Sequence, residues 1–494
     1  MQLSKSRYIR GVQCPKMLWM LDHMPEQFDD SVLNESVLQT GDEVGDLAMG
    51  YYGDFVEIPF SRGDFPAMAD MTRKLIDEGA SNICEATFIH DMDLCLVDIL
   101  RVFDGYVELV EVKSSTSVHD IYLHDIAYQV WLLRQCGLDV RRASLMHVDS
   151  SYVRGEELDL HGLFKVEDVT EDVEGMLADV PGNIQRFKDI GDGEGEPVQK
   201  IGTRCFKPYE CGFRGWCWRD VPAPSVFDLS RIRKERAFDR YRRGVVSFDD
   251  LIDSGEIGLL TDRQQMQVLC EVEGGDVVDG EAIRSFLDEL WYPLHFLDFE
   301  SFQLAVPEYP GTKPFQQIPT QYSLHVIERE DGEVSHKELL AKEGRDPRRE
   351  VAEGLVRDIP AHACVLAWNM GFEKGRIREL AEAFPDLAPR LMAIHDNVRD
   401  LMLPFSKGDY YTKEMQGSAS IKKVLPALFP DDPELDYHAL EGVHNGSEAS
   451  MAFKNLAEHT PEDRSEIREQ LLRYCELDTL AMVKIWQRLI EVAD

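Results

Sequence analysis

His295-Phe296-Leu297-Asp298-Phe299-Glu300-Ser301 is the stretch on which the reading of the C-terminal part of the chain turns. Preceded by Trp291 and Leu294 and rich in aromatic and apolar residues, it reads as a buried strand. Side chains alternate along a strand, so Asp298 and Glu300 share one face. Two ionised carboxylates held together in apolar surroundings repel one another and lose hydration, a cost that bound cations offset. Oxygen-only ligands favour Mg²⁺ or Mn²⁺. Taken alone, the same residues also fit an edge strand with solvated acids.

Working outward, 494 residues exceed one ordinary core and point to two or three domains. Hydrophobic residues at 44% and charged residues at 29% describe a soluble globular protein. No apolar run is long enough to cross a bilayer, and the Met1–Asp30 start lacks a signal-peptide core, so a cytoplasmic protein without a membrane partner is expected. Of the ten cysteines, three fall inside Cys205–Cys217, which suits reduced thiols or metal ligands better than a disulfide framework. Asp and Glu outnumber Lys and Arg by 91 to 53, a net charge of −38. Such a charge repels nucleic acid globally, so a phosphate-binding surface has to be a local basic patch or a metal site. A solvated acidic surface accounts for most of these charges, and a proteome adapted to high salt gives the same balance.

The chain divides at about residues 1–220, 221–289 and 290–494. In the first part, Leu94–Leu100 and Tyr106–Lys113 read as neighbouring strands with a turn at Asp104-Gly105, followed by a helix over Ile121–Leu138. Gly191–Pro197 reads as a flexible loop, and Pro222 and Pro224 mark a linker. The second part looks helical and carries Arg231, Arg233, Lys234, Arg236, Arg240, Arg242 and Arg243, either a phosphate-backbone contact or a solvated face balancing local acids. In the third part, Cys364–Asn369 reads as a buried strand, and Gly371 opens a helix. Thr460-Pro461-Glu462-Asp463 starts a long amphipathic helix with a capping hydroxyl, a first-turn proline and acids at the positive dipole end.

Three pieces of that third part present acids in order: Asp298 with Glu300, then Glu373 just after Asn369, then Asp478 four residues beyond Tyr474 on one helix face. The pattern resembles the DEDD exonucleases of the DnaQ-like, ribonuclease-H-like fold over roughly the last two hundred residues. The resemblance implies that Asp298, Glu300, Glu373 and Asp478 hold two divalent ions and that Tyr474 orients the attacking water. Glu373 stands where that family has aspartate, and Asp396 and Asp400 are the other acids in the interval.

Asp98, followed by Glu111-Val112-Lys113 on the next strand, has the form of a PD-(D/E)XK nuclease core, with Glu111 and Lys113 on one face. A surface hairpin carrying these residues by chance is the competing reading. One distant cysteine, Cys14, and three clustered ones, Cys205, Cys211 and Cys217, flank this core. The arrangement resembles the RecB-like nucleases with an iron–sulfur cluster, including CRISPR-associated ones. It implies Mg²⁺ or Mn²⁺ on Asp98 and Glu111, the Lys113 ammonium beside the attacked phosphate, and a [4Fe–4S] cluster on the four cysteines, with zinc as the alternative. The glycine-bearing stretch Gly41–Asp46 lacks that family's histidine, and Leu133 stands where a tyrosine follows the helix glutamine, here Gln129. The other cysteines, Cys475 among them, read as plain buried residues.

The expectation is therefore an α/β multidomain protein with a restriction-endonuclease-like first domain and a ribonuclease-H-like last one. Its expected activity is metal-dependent hydrolysis of DNA single strands or ends, in repair or defence. RNA processing, and a nucleic-acid-binding scaffold whose sites no longer cleave, are the rival readings.

Overall fold

Asp104 and Gly105 interrupt a long run of apolar residues, and the chain reverses there, with Gly105 taking the left-handed φ of 80° that the turn requires. The computed structural model describes residues 1–32, 35–440 and 442–493. Among them the chain forms two units, Met1–Asp220 with Leu304–Gln316, and Val221–Gln303 with Gln317–Asp494.

The first unit opens with two helices, α1 (Lys5–Gln13) and α2 (Pro15–His23), which meet at Cys14. Strands β1 (Asn82–His90), β2 (Asp93–Phe103) and β3 (Tyr106–Lys113) form an antiparallel meander. Helix α3 (Asp120–Gln135) then crosses over to β4 (Val140–Val148), which runs parallel to β3, and β5 (Phe164–Asp168) closes that side antiparallel to β4. Two-residue strands at Val56–Glu57 and Leu3–Ser4 pair with β1 and β2, completing a seven-stranded sheet. Burial of Ile126, Tyr128, Leu132 and Leu133 fixes α3 against the sheet, and the Tyr128 hydroxyl donates to the Leu3 carbonyl at 2.8 Å. That bond ties the start of the chain, and hence α1, to the sheet.

In the second unit, β6 (Leu294–Phe302) lies between β7 (Ile318–Ile327) and β9 (Cys364–Ala367), with β8 (Val334–Leu340) and β10 (Val398–Asp400) at the edges. The pairs β8/β7 and β7/β6 are antiparallel, and β6/β9 and β9/β10 are parallel. The quoted stretch is thus a central strand, and the solvated-edge reading of it fails. Helix α4 (Gly371–Ala383) follows β9; α5 (Ile421–Leu428) and the 33-residue α6 (Pro461–Ala493) come later.

Residues 221–289 are largely helical, as expected, but they cluster with the C-terminal sheet, while Leu304–Gln316 clusters with the first unit. Arg263 illustrates the attachment, donating to the Ser406 carbonyl at 3.0 Å. Much of the basic cluster is neutralised locally: Arg240 and Arg243 pair with Glu256, and Arg242 pairs with Asp239. Arg231, Arg233 and Arg236 remain exposed. No helix among the described residues is long and apolar enough to cross a membrane.

Gly11 sits on α1 where a Cβ would come within 2.6 Å of the buried Phe187 ring. Gly11→Ala should therefore cost about 1–3 kcal/mol through overpacking. Gly45→Ala, whose Cβ would meet nothing within 4 Å, should be neutral or stabilising. Thermal unfolding of the two variants side by side checks the contrast.

Candidate functional site

Asp298 and Glu300 project from β6 towards α6 because residues two apart on a strand point the same way. An oxygen of each carboxylate and the Cys475 sulfur all lie within 4.8 Å of one another. Cys475 Sγ is 3.7 Å from Asp298 Oδ2, so a residue read from sequence as plain core is packed directly against the first acid. Asp478 and Tyr474 reach the same region from α6, both buried. The Tyr437 hydroxyl donates to Asp478 Oδ1 at 2.6 Å, and Lys422 Nζ on α5 donates to Tyr474 Oη at 3.3 Å.

Glu373 completes the group. It lies in the first turn of α4, is 3% exposed, and its Oε2 has no hydrogen-bond partner. Its charge is felt at Asp298. Asp400 is otherwise engaged, accepting the backbone N–H groups of Asn369 and Met402 at 3.0 Å and so holding the β9–α4 turn, where Asn369 takes a φ of 63°. Asp396 is exposed and pairs with His395. Of the three acids in this interval, Glu373 is the one whose charge reaches Asp298, while its own carboxyl also feels Asp400 and Arg376.

The electrostatics show what this convergence costs. Burial pushes Asp298 well above the ordinary carboxylate range, and Asp478, Glu300 and Glu373 push it further. Burial, then Asp478, raises Glu300 to about 8. Glu373 is raised to about 8 by burial and then by Asp400, and burial raises Asp478 to about 6 against the opposing Tyr437 hydrogen bond and Lys422 charge. The four acids outnumber the cations that act on them, Lys422 and, at Glu373, Arg376, and a buried carboxylate oxygen without a donor is costly. Hard, oxygen-seeking divalent cations fit this donor set.

The first unit holds a second acidic group with a different balance. Asp98 on β2 accepts the Val112 N–H at 2.7 Å, while Glu111 on β3 is fully buried. Lys113 Nζ bridges Glu111 and Asp125, the latter at 3.0 Å. Lys5, from α1, places its ammonium between Asp98 at 3.3 Å and Glu111 at 3.0 Å. Gln129 donates to Glu111 Oε2 at 2.7 Å and to Asp125 Oδ1 at 3.1 Å.

Burial opposes ionisation of Glu111, but Lys113 and Lys5 overcome it and hold the carboxyl below its ordinary value. Asp98 is raised by burial and by Glu111, Asp125 is raised to about 6 by burial and Glu111, and Glu85 reaches about 7 through burial and Asp98. Glu85 also has a φ of 57°, strained for glutamate, in a strand beside the acids. Lys5, Asp125 and Glu85 were not among the residues singled out from sequence.

Cys14, Cys205, Cys211 and Cys217 come together as free thiols: Cys211 is raised to about 12, chiefly by burial, with Cys205, Cys14 and Cys217 all adding to the rise. Cys14, Cys211 and Cys217 pack with Met17, Met20, Phe213, Trp216 and Phe28. The Cys211 N–H donates to the Cys205 carbonyl at 3.1 Å. Four convergent thiols in an apolar cradle fit a tetrathiolate-bound group.

Comparison with known proteins adds location but no activity. Residues 295–420 match the family described as Domain of unknown function (DUF2779). That span contains Asp298, Glu300 and Glu373 and stops before Lys422, Tyr474 and Asp478. An uncharacterized protein of Mycoplasma pneumoniae is 30% identical over 234 residues, 42% of this chain and 34% of the relative. An uncharacterized protein of Mycoplasma genitalium is 25% identical over 228 residues, again 42% and 34%. The chain therefore spans about a third of the length of these curated relatives. No solved structure matches.

A pH test follows from Glu300. Its folded-state value of about 8 lies above the ordinary 4.5, so between those values the folded state binds the extra proton, and stability falls as pH rises through that window. Glu300→Gln should flatten the fall in metal-free protein, read as unfolding midpoints across pH in chelator. An unchanged slope would show that Glu300 ionises freely.

Proposed function

We propose that the protein is a divalent-metal-dependent nuclease with two carboxylate sites, acting on DNA single strands or ends in repair or defence. The observation that carries the reading is the convergence of Asp298, Glu300, Glu373 and Asp478 with Tyr474, which leaves the Glu373 Oε2 buried and unpartnered. The strand order β8-β7-β6-β9-β10, antiparallel on one side of β6 and parallel on the other, supports a ribonuclease-H-like, DnaQ-like domain. The meander β1–β3 with the α3 crossover to β4 supports a restriction-endonuclease-like, RecB-like domain.

In the C-terminal site the four acids would hold Mg²⁺ or Mn²⁺, which when bound supplies charge neutralisation for the phosphodiester and activation of the attacking water. Tyr437 fixes the Asp478 carboxylate, and Lys422 fixes the Tyr474 hydroxyl, which is then positioned to hold a water by hydrogen bonding. In the N-terminal site Asp98 and Glu111 would hold the cation. Lys113, anchored on Glu111 and Asp125, supplies positive charge to the phosphate. Lys5 occupies the space between Asp98 and Glu111 and has to yield as a cation enters. Cys14, Cys205, Cys211 and Cys217 would hold a [4Fe–4S] cluster, zinc being the alternative, which pins the start of the first unit to its end.

Labelled DNA and RNA incubated with Mg²⁺ or Mn²⁺ test the activity. Lys113→Ala and Asp298→Ala should each remove a different part of the DNA product pattern, by orders of magnitude in rate. RNA cleavage alone moves the substrate to that polymer; binding without cleavage by the wild type makes the protein a scaffold.

Anaerobically purified protein should be brown with about four irons per chain. Cys14→Ala should lose the colour and destabilise the first unit. Colourless protein with one zinc would place a single ion there.

A further inference from the structure

The second unit contains another group of donors, beside the four acids but sharing none of their residues. His325 on β7 and His336 on β8 are direct cross-strand partners, with ring centroids 4.6 Å apart. Glu476, on α6, reaches the same place, its Oε1 3.6 Å from His336 Nδ1. One ring nitrogen of each histidine and a Glu476 carboxylate oxygen all lie within 4.8 Å of one another.

The hydrogen bonds around them fix the tautomers. Thr479 Oγ1 donates its one proton to the Glu476 carbonyl at 3.0 Å, because a carbonyl can only accept. The 2.7 Å bond between Ser323 and Thr479 then needs the Ser323 proton, since the Thr479 proton is committed. With the Ser323 proton spent, the 2.9 Å bond to His336 has Nε2–H as its donor. By the same count His325 Nδ1–H donates to Thr479 Oγ1 at 2.8 Å. When the rings are neutral, His325 Nε2 and His336 Nδ1 carry the lone pairs, each on a ring whose other nitrogen donates to a fixed hydroxyl. Metal-ligating histidines are oriented in this way.

We propose that His325, His336 and Glu476 form a site for a divalent transition-metal ion, Zn²⁺ by donor type, with water completing the coordination. Two imidazoles and one carboxylate are a common zinc set, softer than the all-carboxylate group beside Asp298. His325 is buried while His336 and Glu476 are half-buried, so the ion has an entry path from solvent. Its mechanical effect is to clamp the edge strand β8 and its neighbour β7 onto α6, the helix that carries Tyr474 and Asp478. The inference does not rest on the nuclease reading, because none of its ligands belongs to that site.

Untagged protein, stripped with chelator and dialysed against Zn²⁺, tests it by zinc content and zinc-edge X-ray absorption, with Glu476→Gln and the double variant His325→Ala/His336→Ala alongside. Wild type should hold about one zinc more per chain than the double variant and show imidazole scattering, whatever the cysteines bind. Glu476→Gln changes a half-exposed side chain without altering its size. It should fold normally by circular dichroism, bind zinc at least about tenfold more weakly, and lose the zinc-dependent rise in unfolding midpoint. Equal zinc content in wild type and double variant, or absorption spectra without imidazole, overturns the proposal. So does a Glu476→Gln protein with the wild-type midpoint shift.

Discussion

Mutual repulsion among buried carboxylates is the constraint on which the second unit turns. Asp298 and Glu300 cannot separate, because the period of β6 sets them on one face, and β7 and β9 fix that strand on both sides. Asp478 cannot withdraw either, being carried by α6 and held by Tyr437. Protons relieve part of the strain: burial first, and then a neighbouring acid, Asp478 for Glu300 and Asp400 for Glu373, raises each to about 8. A cation bound among them would relieve it without protonating the oxygens, and would thereby be linked to the stability of this unit through the same groups.

The first unit handles the same kind of charge differently. Lys5 and Lys113 lie among Asp98, Glu111 and Asp125, and Gln129 fills further acceptor positions. Glu111 is consequently held ionised, whereas Glu300 resists ionisation. Two acidic clusters in one chain thus make different demands on a cation: one has to displace an ammonium group, the other only has to enter.

Much of this was legible in sequence where a local period carries the information. The Asp298/Glu300 pair, the Glu111/Lys113 pair and the Tyr474/Asp478 pair follow from periods of two and four, and Glu373 from its place just after a strand. Lys5 could not be found that way. It reaches Asp98 only because Leu3–Ser4 pairs with Asp93–Leu94 and swings α1 over the sheet. Lys422, on the short helix α5, and Tyr437, beyond it, lie between β10 and α6, where no spacing singles them out. The division of the chain was partly hidden for the same reason: Leu304–Gln316 joins the first unit through the burial of Ala305 and Val306, and no composition shift marks that departure.

Helix α6 concentrates these constraints. Leu471 accepts from Gln321, Cys475 packs on Asp298, and Thr479 gathers Ser323 and His325, so successive turns of one helix read successive positions of β6 and β7. Asp298 and Ser323 are register partners, which places the acid cluster and the histidine pair on adjoining parts of one sheet face. A helix held at so many points has little freedom to shift one contact alone. The position of the Asp478 carboxylate is therefore set both by Tyr437 and by the polar network around Thr479, one turn further along α6 from Cys475. An ion that tightened the histidine end would restrict the acid end as well, since both ends are carried by the same rigid element.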